Sequence, residues 1–140
     1  MRILGVDWGG SRIGIAIGEE FLVEGKPSHV CAPRSLIQAS GTLKIDALNI
    51  IKIAKEENAT AIAIGVPEYE GDEKGAKLTR MIAQLCREQG WQTHEVNESM
   101  TTIESHDALK EIGLSAAQRK SRIDSESACR ILDRYFSENL

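Results

Sequence analysis

The sequence predicts an α/β fold: one mixed sheet of five strands, antiparallel at its start, parallel in its later strands, and flanked by helices. Three observations carry this expectation. From Arg2 to about Gly18 there are two β-rich apolar runs joined at Gly9-Gly10-Ser11, a hairpin signal. Thr60 to Val66 is a continuous, nearly all-apolar run, as in a strand buried on both faces. Stretches with helical spacing then alternate with strand-like ones, which builds parallel strands with helical crossovers.

Along the first run, alternation puts Ile3, Gly5 and Asp7 on one face and Leu4, Val6 and Trp8 on the other. Phe21-Leu22-Val23 and His29-Val30-Cys31 can each belong to a third strand, with Pro27 and Pro33 limiting its extent. Gln38 to Gly41 reads as a loop. A helix is expected from about Thr42 to Glu57, its stripe being Leu43, Ala47, Ile50, Ile51 and Ala54. After the strand ending at Val66, Glu68 to about Gly75 is a polar loop. Leu78, Met81, Ile82, Leu85 and Cys86 mark a second helix closed by Gly90. Trp91 to Val96 is the fifth strand, Met100 to Ile112 a short helix, and Arg122 to about Phe136 the last helix. No linker or repeat interrupts the chain, so residues 1–140 read as a single domain.

With 41% hydrophobic and 27% charged residues, the composition is that of a globular protein. The net charge of −4 gives no global field toward nucleic acid or anionic membrane, leaving any such attraction to local clusters. Cys31, Cys86 and Cys129 form neither a metal knuckle nor a disulfide framework and read as buried, inert thiols of a reducing cytoplasm. No apolar run approaches a membrane span, and the N-terminus lacks the pattern of a signal peptide. A cytoplasmic protein without a membrane partner is expected. Ser11 lacks a paired His and Asp for nucleophilic chemistry. His29, His94 and His106 show no metal-ligand spacing.

Three acids stand out. Asp7 closes the first apolar strand, where an ionised carboxylate is costly unless paired or bound to a cation. Glu98 follows the strand ending at Val96. Asp124 is expected in the first turn of the last helix, at the head of a stripe formed by Ala128, Ile131, Leu132 and Tyr135. Three inward acids from separate segments can converge on Mg²⁺ or Mn²⁺, which prefer oxygen ligands. Two such ions roughly 4 Å apart suit the attack of water on a phosphodiester. Each acid also has a plainer reading. Asp7 could accept turn hydrogen bonds, Asp124 could offset the helix dipole, and Glu98 could be solvated or help cap the next helix.

Val6-Asp7-Trp8-Gly9 with Arg12-Ile13-Gly14, then Ile64-Gly65-Val66-Pro67, Val96-Asn97-Glu98, and Arg122-Ile123-Asp124 with Ala128 resemble the YqgF family. These small RNase H-like proteins are described as Holliday junction resolvases or pre-16S rRNA nucleases, and the resemblance spans nearly the whole chain. It implies an RNase H-like fold and a metal-dependent nuclease acting on structured RNA, such as a ribosome precursor, or on branched DNA. By resemblance, Asp7, Glu98 and Asp124 are catalytic and hold one or two Mg²⁺ or Mn²⁺ ions, while Arg12, Arg119, Lys120 and Arg122 bind nucleic acid. A homodimer is compatible with it.

The chain departs from the family pattern at several places. Asn97-Glu98-Ser99 stands for Asp-Glu-Arg, and Tyr69, Gly71 and Asp72 stand in a loop where Asn and Asp-Gly are common. Ser125-Glu126-Ser127 replaces a Lys-apolar-Ala run. From the residues alone, Arg119, Lys120 and Arg122 can equally be a solvated basic face or a phosphate contact. Lys74 and Lys77 open the second helix, where an anion is favoured. An Asp-x-Gly hairpin also opens the phosphate motif of actin-like ATPases, but those need two such domains and a longer chain. The sharper alternative is a nucleic-acid-binding or ribosome-assembly factor of the same fold with little or no cleavage.

Overall fold

The computed structural model describes residues 1–9, 11–67, 73–97 and 116–138, with 36 and 116–125 described by backbone alone. Five strands, β1 (Arg2–Trp8), β2 (Arg12–Val23), β3 (Lys26–Gln38), β4 (Ala61–Val66) and β5 (Thr93–Asn97), form one sheet in the order β3-β2-β1-β4-β5. β1 to β3 are antiparallel neighbours, whereas β4 runs parallel to β1 and β5 parallel to β4. The mixed five-stranded sheet read from the sequence is therefore present. The expected helix from Met100 to Ile112 lies outside the described residues.

Helices α1 (Leu43–Glu56) and α2 (Glu73–Glu88) cover one face, and α3 (Ala116–Glu138) covers the other. Alternation along β1 sorts the core accordingly. Leu4 and Val6 pack with Ala47, Ile50, Ala54, Ile82 and Cys86, while Ile3 packs with Ala128, Ile131, Leu132 and Phe136. All six residues of β4 are buried, which is why that strand reads as an unbroken apolar run.

Three features differ from the sequence expectation. First, the prolines do not bound β3. Phe21-Leu22-Val23 ends β2, and a two-residue turn at Glu24 (φ 51°) and Gly25 (φ 80°) leads into a β3 that runs through both prolines. Two successive positive φ values make this the primed turn that matches strand twist. Because β3 is an edge strand, a missing N–H is tolerated there, and Pro33 lies where the register shifts between Ile15 and Ala16.

Second, Met81 is exposed, and the stripe of α2 instead includes buried Thr79. The Thr79 hydroxyl donates to the carbonyls of Gly75 (2.9 Å) and Ala76 (3.0 Å), so burying it leaves no orphaned polar group. Third, α3 starts at Ala116 rather than Arg122. The intervening Ala116-Ala117-Gln118-Arg119-Lys120-Ser121 contains no helix breaker, so nothing stops the helix from extending upstream. Asp124 is then two turns into the helix rather than in its first turn, beyond the range where a helix dipole matters.

α3 approaches β1 unusually closely. A Cβ placed on Gly5 would stand 2.6 Å from Leu132 Cγ and 2.8 Å from the Ala128 carbonyl oxygen. Gly5→Ala is expected to lower the unfolding free energy by about 1–3 kcal/mol in urea titrations. Adding Leu132→Ala should restore only some of it, because the Ala128 carbonyl oxygen stays in place.

His94 on β5 packs against Tyr135 of α3 with ring centroids 4.9 Å apart and the planes tilted by 43°. Burial, and secondarily the Arg87 charge, lower its pKa, so folding favours the neutral ring. Its contribution is then complete above the unfolded value of about 6.5 and is lost as pH falls from there through the lowered folded value. Urea unfolding at pH 7.5 and pH 5 should show a smaller acid loss for His94→Gln than for the parent.

Candidate functional site

The site is built at the carboxyl end of β1, where the β1–β2 hairpin turns. The Gly9 N–H donates to the Arg12 carbonyl oxygen at 2.9 Å, closing that turn. Asp7, half-buried, pairs across the hairpin with Gly14. Paired residues of antiparallel strands share a face, so Asp7, Gly14 and Arg12 all lie on the α3 side. Gly14 contributes no side chain to that face. Arg12 is half-buried at the start of β2.

α3 runs antiparallel to β1 on this face. Phe136 packs against Gly18, the partner of Ile3, while Leu132 and Ala128 lie over Gly5. Residue 124 is one turn before Ala128, on the side toward which β1 continues from Gly5 to Asp7. A helical turn advances about 5.4 Å and two strand residues about 6.6 Å, so the two steps match. Arg119, Lys120 and Arg122 occupy the first two turns of the same helix. The structure thus carries Asp7, Arg12 and the backbone of 119–124 to one end of the molecule. Glu98 comes directly after β5 in sequence and lies outside the described residues.

Two polar contacts missed in the sequence support this end. Buried Asp46 on α1 accepts hydrogen bonds from Trp8 Nε1 (3.0 Å), the Ser40 N–H (2.8 Å) and Ser40 Oγ (2.7 Å). It ties the last residue of β1 to the loop entering α1, and the Ala39 N–H adds a bond to the Ser11 carbonyl oxygen. Its signal was available: Leu43, Asp46, Ala47 and Ile50 fall on one stripe, so an acid there must be buried and satisfied. The second contact is from Arg134 of α3, which donates to the Asn97 carbonyl oxygen at the end of β5. No local spacing betrays that pair, which is 37 residues apart.

The carboxylates proposed as ligands offer only hard oxygen donors, and the residue paired with Asp7 is a glycine. Ser127 Oγ, buried on α3 within one turn of residue 124, has no hydrogen-bond partner among the described residues. These residues fit a hard divalent cation.

A mixed sheet of this order, with α1 and α2 on one face and α3 on the other, is an RNase H-like fold of the RuvC type. Thermus thermophilus RuvC in complex with a Holliday junction substrate superimposes with a TM-score of 0.56 at 14% identity, over 99% of this chain and 96% of that one. Fowlpox virus resolvase, solved with Holliday junction DNA, gives 0.62 at 12% identity over 100% and 99%. More specifically, residues 1–138 match the model of the family described as "RuvX: Holliday junction resolvase", and the chain belongs to that family. A relative from Ruminiclostridium cellulolyticum, named "Putative pre-16S rRNA nuclease", is 30% identical over 97% of this chain and 94% of its own length. One of the same name from Anaeromyxobacter is 31% identical over 94% and 93%. The resemblance drawn from the motifs is thereby shown for family and fold. Among the described residues, no helix is long and apolar enough to cross a membrane.

Asp46→Ala would leave Trp8 Nε1 and the Ser40 N–H without their acceptor. It is expected to cost about 2–3 kcal/mol in chemical denaturation and to alter the Trp8 contribution to fluorescence.

Proposed function

We propose that the chain is a divalent-metal-dependent nuclease that hydrolyses phosphodiester bonds in structured RNA or branched DNA. The observation that carries this reading is the antiparallel packing of α3 on β1 at Gly5, which directs Asp7 and residue 124 to the same end. Asp7, Glu98 and Asp124 would hold Mg²⁺ or Mn²⁺. When bound, such ions supply an activated water and offset charge on the departing oxygen. The chain's own role is positional. Asp7 stands on a strand fixed from both sides by β2 and β4, so its carboxylate is held without a loop's freedom. Arg12, on the same face, receives the scissile phosphate, and Arg119, Lys120 and Arg122 grip the neighbouring backbone.

The sequence relatives' name supports a precursor of ribosomal RNA as substrate, and the structural neighbours' DNA complexes support a four-way junction as the alternative. The purified chain should cut one of these with Mg²⁺ or Mn²⁺ and not with EDTA. Asp7→Asn should fall to the EDTA level while keeping its thermal midpoint and circular dichroism. Arg12→Ala should raise KM more than it lowers kcat and flatten the salt dependence of binding. Undiminished cleavage by Asp7→Asn would refute the assignment. Binding without cleavage by the parent would identify an assembly factor of the same fold.

A further inference from the structure

The opposite end of the sheet carries a second group of ligand-type side chains. His29 and Cys31 alternate along β3, so both face α3, and Asp133 comes from α3 to meet them. One ligand atom from each, His29 Nε2, Cys31 Sγ and an Asp133 carboxylate oxygen, lies within 4.8 Å of the other two. His29 Nε2 is 3.1 Å from Asp133 Oδ1. The imidazole is held by stacking on Phe136, with centroids 4.7 Å apart and an interplanar angle of 23°. Its orientation is thus set before any ion arrives.

We propose that His29, Cys31 and Asp133 bind a divalent cation of the zinc class, tying edge strand β3 to α3. An imidazole nitrogen, a thiolate and a carboxylate are the donor types zinc takes, and three protein ligands leave its fourth position to water. Cys31 is only half-buried and Asp133 is exposed, so the group is open to an ion from solvent. Without a cation, burial, and then Asp133, push the Cys31 thiol pKa well up, so the thiol keeps its proton. A bound cation would displace that proton, as metals do at coordinating thiols.

This site is separate from the proposed nuclease centre. Cys31 pairs with Gly18, whose partner is Ile3, whereas Asp7 pairs with Gly14. The two levels are four strand residues apart, roughly 13 Å. Sequence spacing hides the group, since its members come from a strand and a helix 104 residues apart. Cys129, one turn before Asp133, lies outside the 4.8 Å group and serves as a control.

The test uses the full chain, stripped by chelator and titrated with Co²⁺ as the probe. A thiolate-to-cobalt absorption band is expected that saturates at one ion per chain and is bleached by Zn²⁺, with Zn²⁺ also raising the thermal midpoint. Cys31→Ser should abolish the band, and Asp133→Asn should weaken Co²⁺ binding by at least about tenfold. Asp7→Asn and Cys129→Ala should both keep the band. No saturable band in the parent, a band surviving in Cys31→Ser, or its loss in either control would overturn the site. None of these readouts depends on nuclease activity, so the two proposals stand or fall separately.

Discussion

The close approach of α3 to β1 at Gly5 is the constraint on which the remaining geometry depends. With any side chain at that position the helix would have to ride higher, since a Cβ would meet a helix carbonyl as well as Leu132. Gly18 serves the same purpose on the neighbouring strand, where a Cβ would be 2.7 Å from the Phe136 ring. Two bare positions on adjacent strands therefore fix both the height of the helix and its direction. That direction brings residue 124 toward Asp7 and Asp133 toward His29 at the other end. Packing density makes such a contact unforgiving, because a shift of one turn would misalign both ends together.

Much of this was legible in the sequence because burial leaves periodic traces. The alternation along β1, the unbroken β4 run, and the stripe from Ala128 to Tyr135 each correspond to a face that is buried. What stayed hidden lacked such a trace. β3 runs through Pro27 and Pro33 because an edge strand needs its N–H groups on one side only, and an edge is a property of the whole sheet. The start of α3 was misplaced because its first two turns contain no large apolar residue, and periodicity sees only the buried portion of a helix. Of the site, Asp7 and its face were readable, since both follow from one strand. Cys31 was expected to be buried and is half-buried, while Cys86 and Cys129 are buried, with thiols pushed up to about 11 and about 12 by desolvation.

The polar contacts at the carboxyl end have a common physical role. Asp46 fixes Trp8 and the loop that follows β3, and Arg134 fixes the carbonyl from which the chain leaves β5. Each ties a strand end to a helix through a hydrogen bond with a charged partner, stronger than a neutral one and placed where the ladder no longer constrains the backbone. The side chains proposed as ligands that follow such anchored ends would need less ordering at the moment a substrate binds. In the family's pattern the residue before Glu98 is an acid. Here it is Asn97, whose backbone carbonyl oxygen accepts from Arg134.

The charge balance, which at first counts against a polyanionic partner, changes meaning once the proposed ligands are separated from the remainder. The chain carries −4 overall, and Asp7, Glu98 and Asp124 account for three of the excess acids. One divalent ion held by those three would bring the chain from −4 to −2, and two would bring it to neutral. Arg12 and the basic residues at the start of α3 would then act over a Debye length of about 8–10 Å at physiological salt. That range spans a few phosphates and no more. A chain with this distribution has weak long-range attraction for nucleic acid, so the proposed activity would draw its selectivity from the fit of structured or branched backbone to the site rather than from net charge.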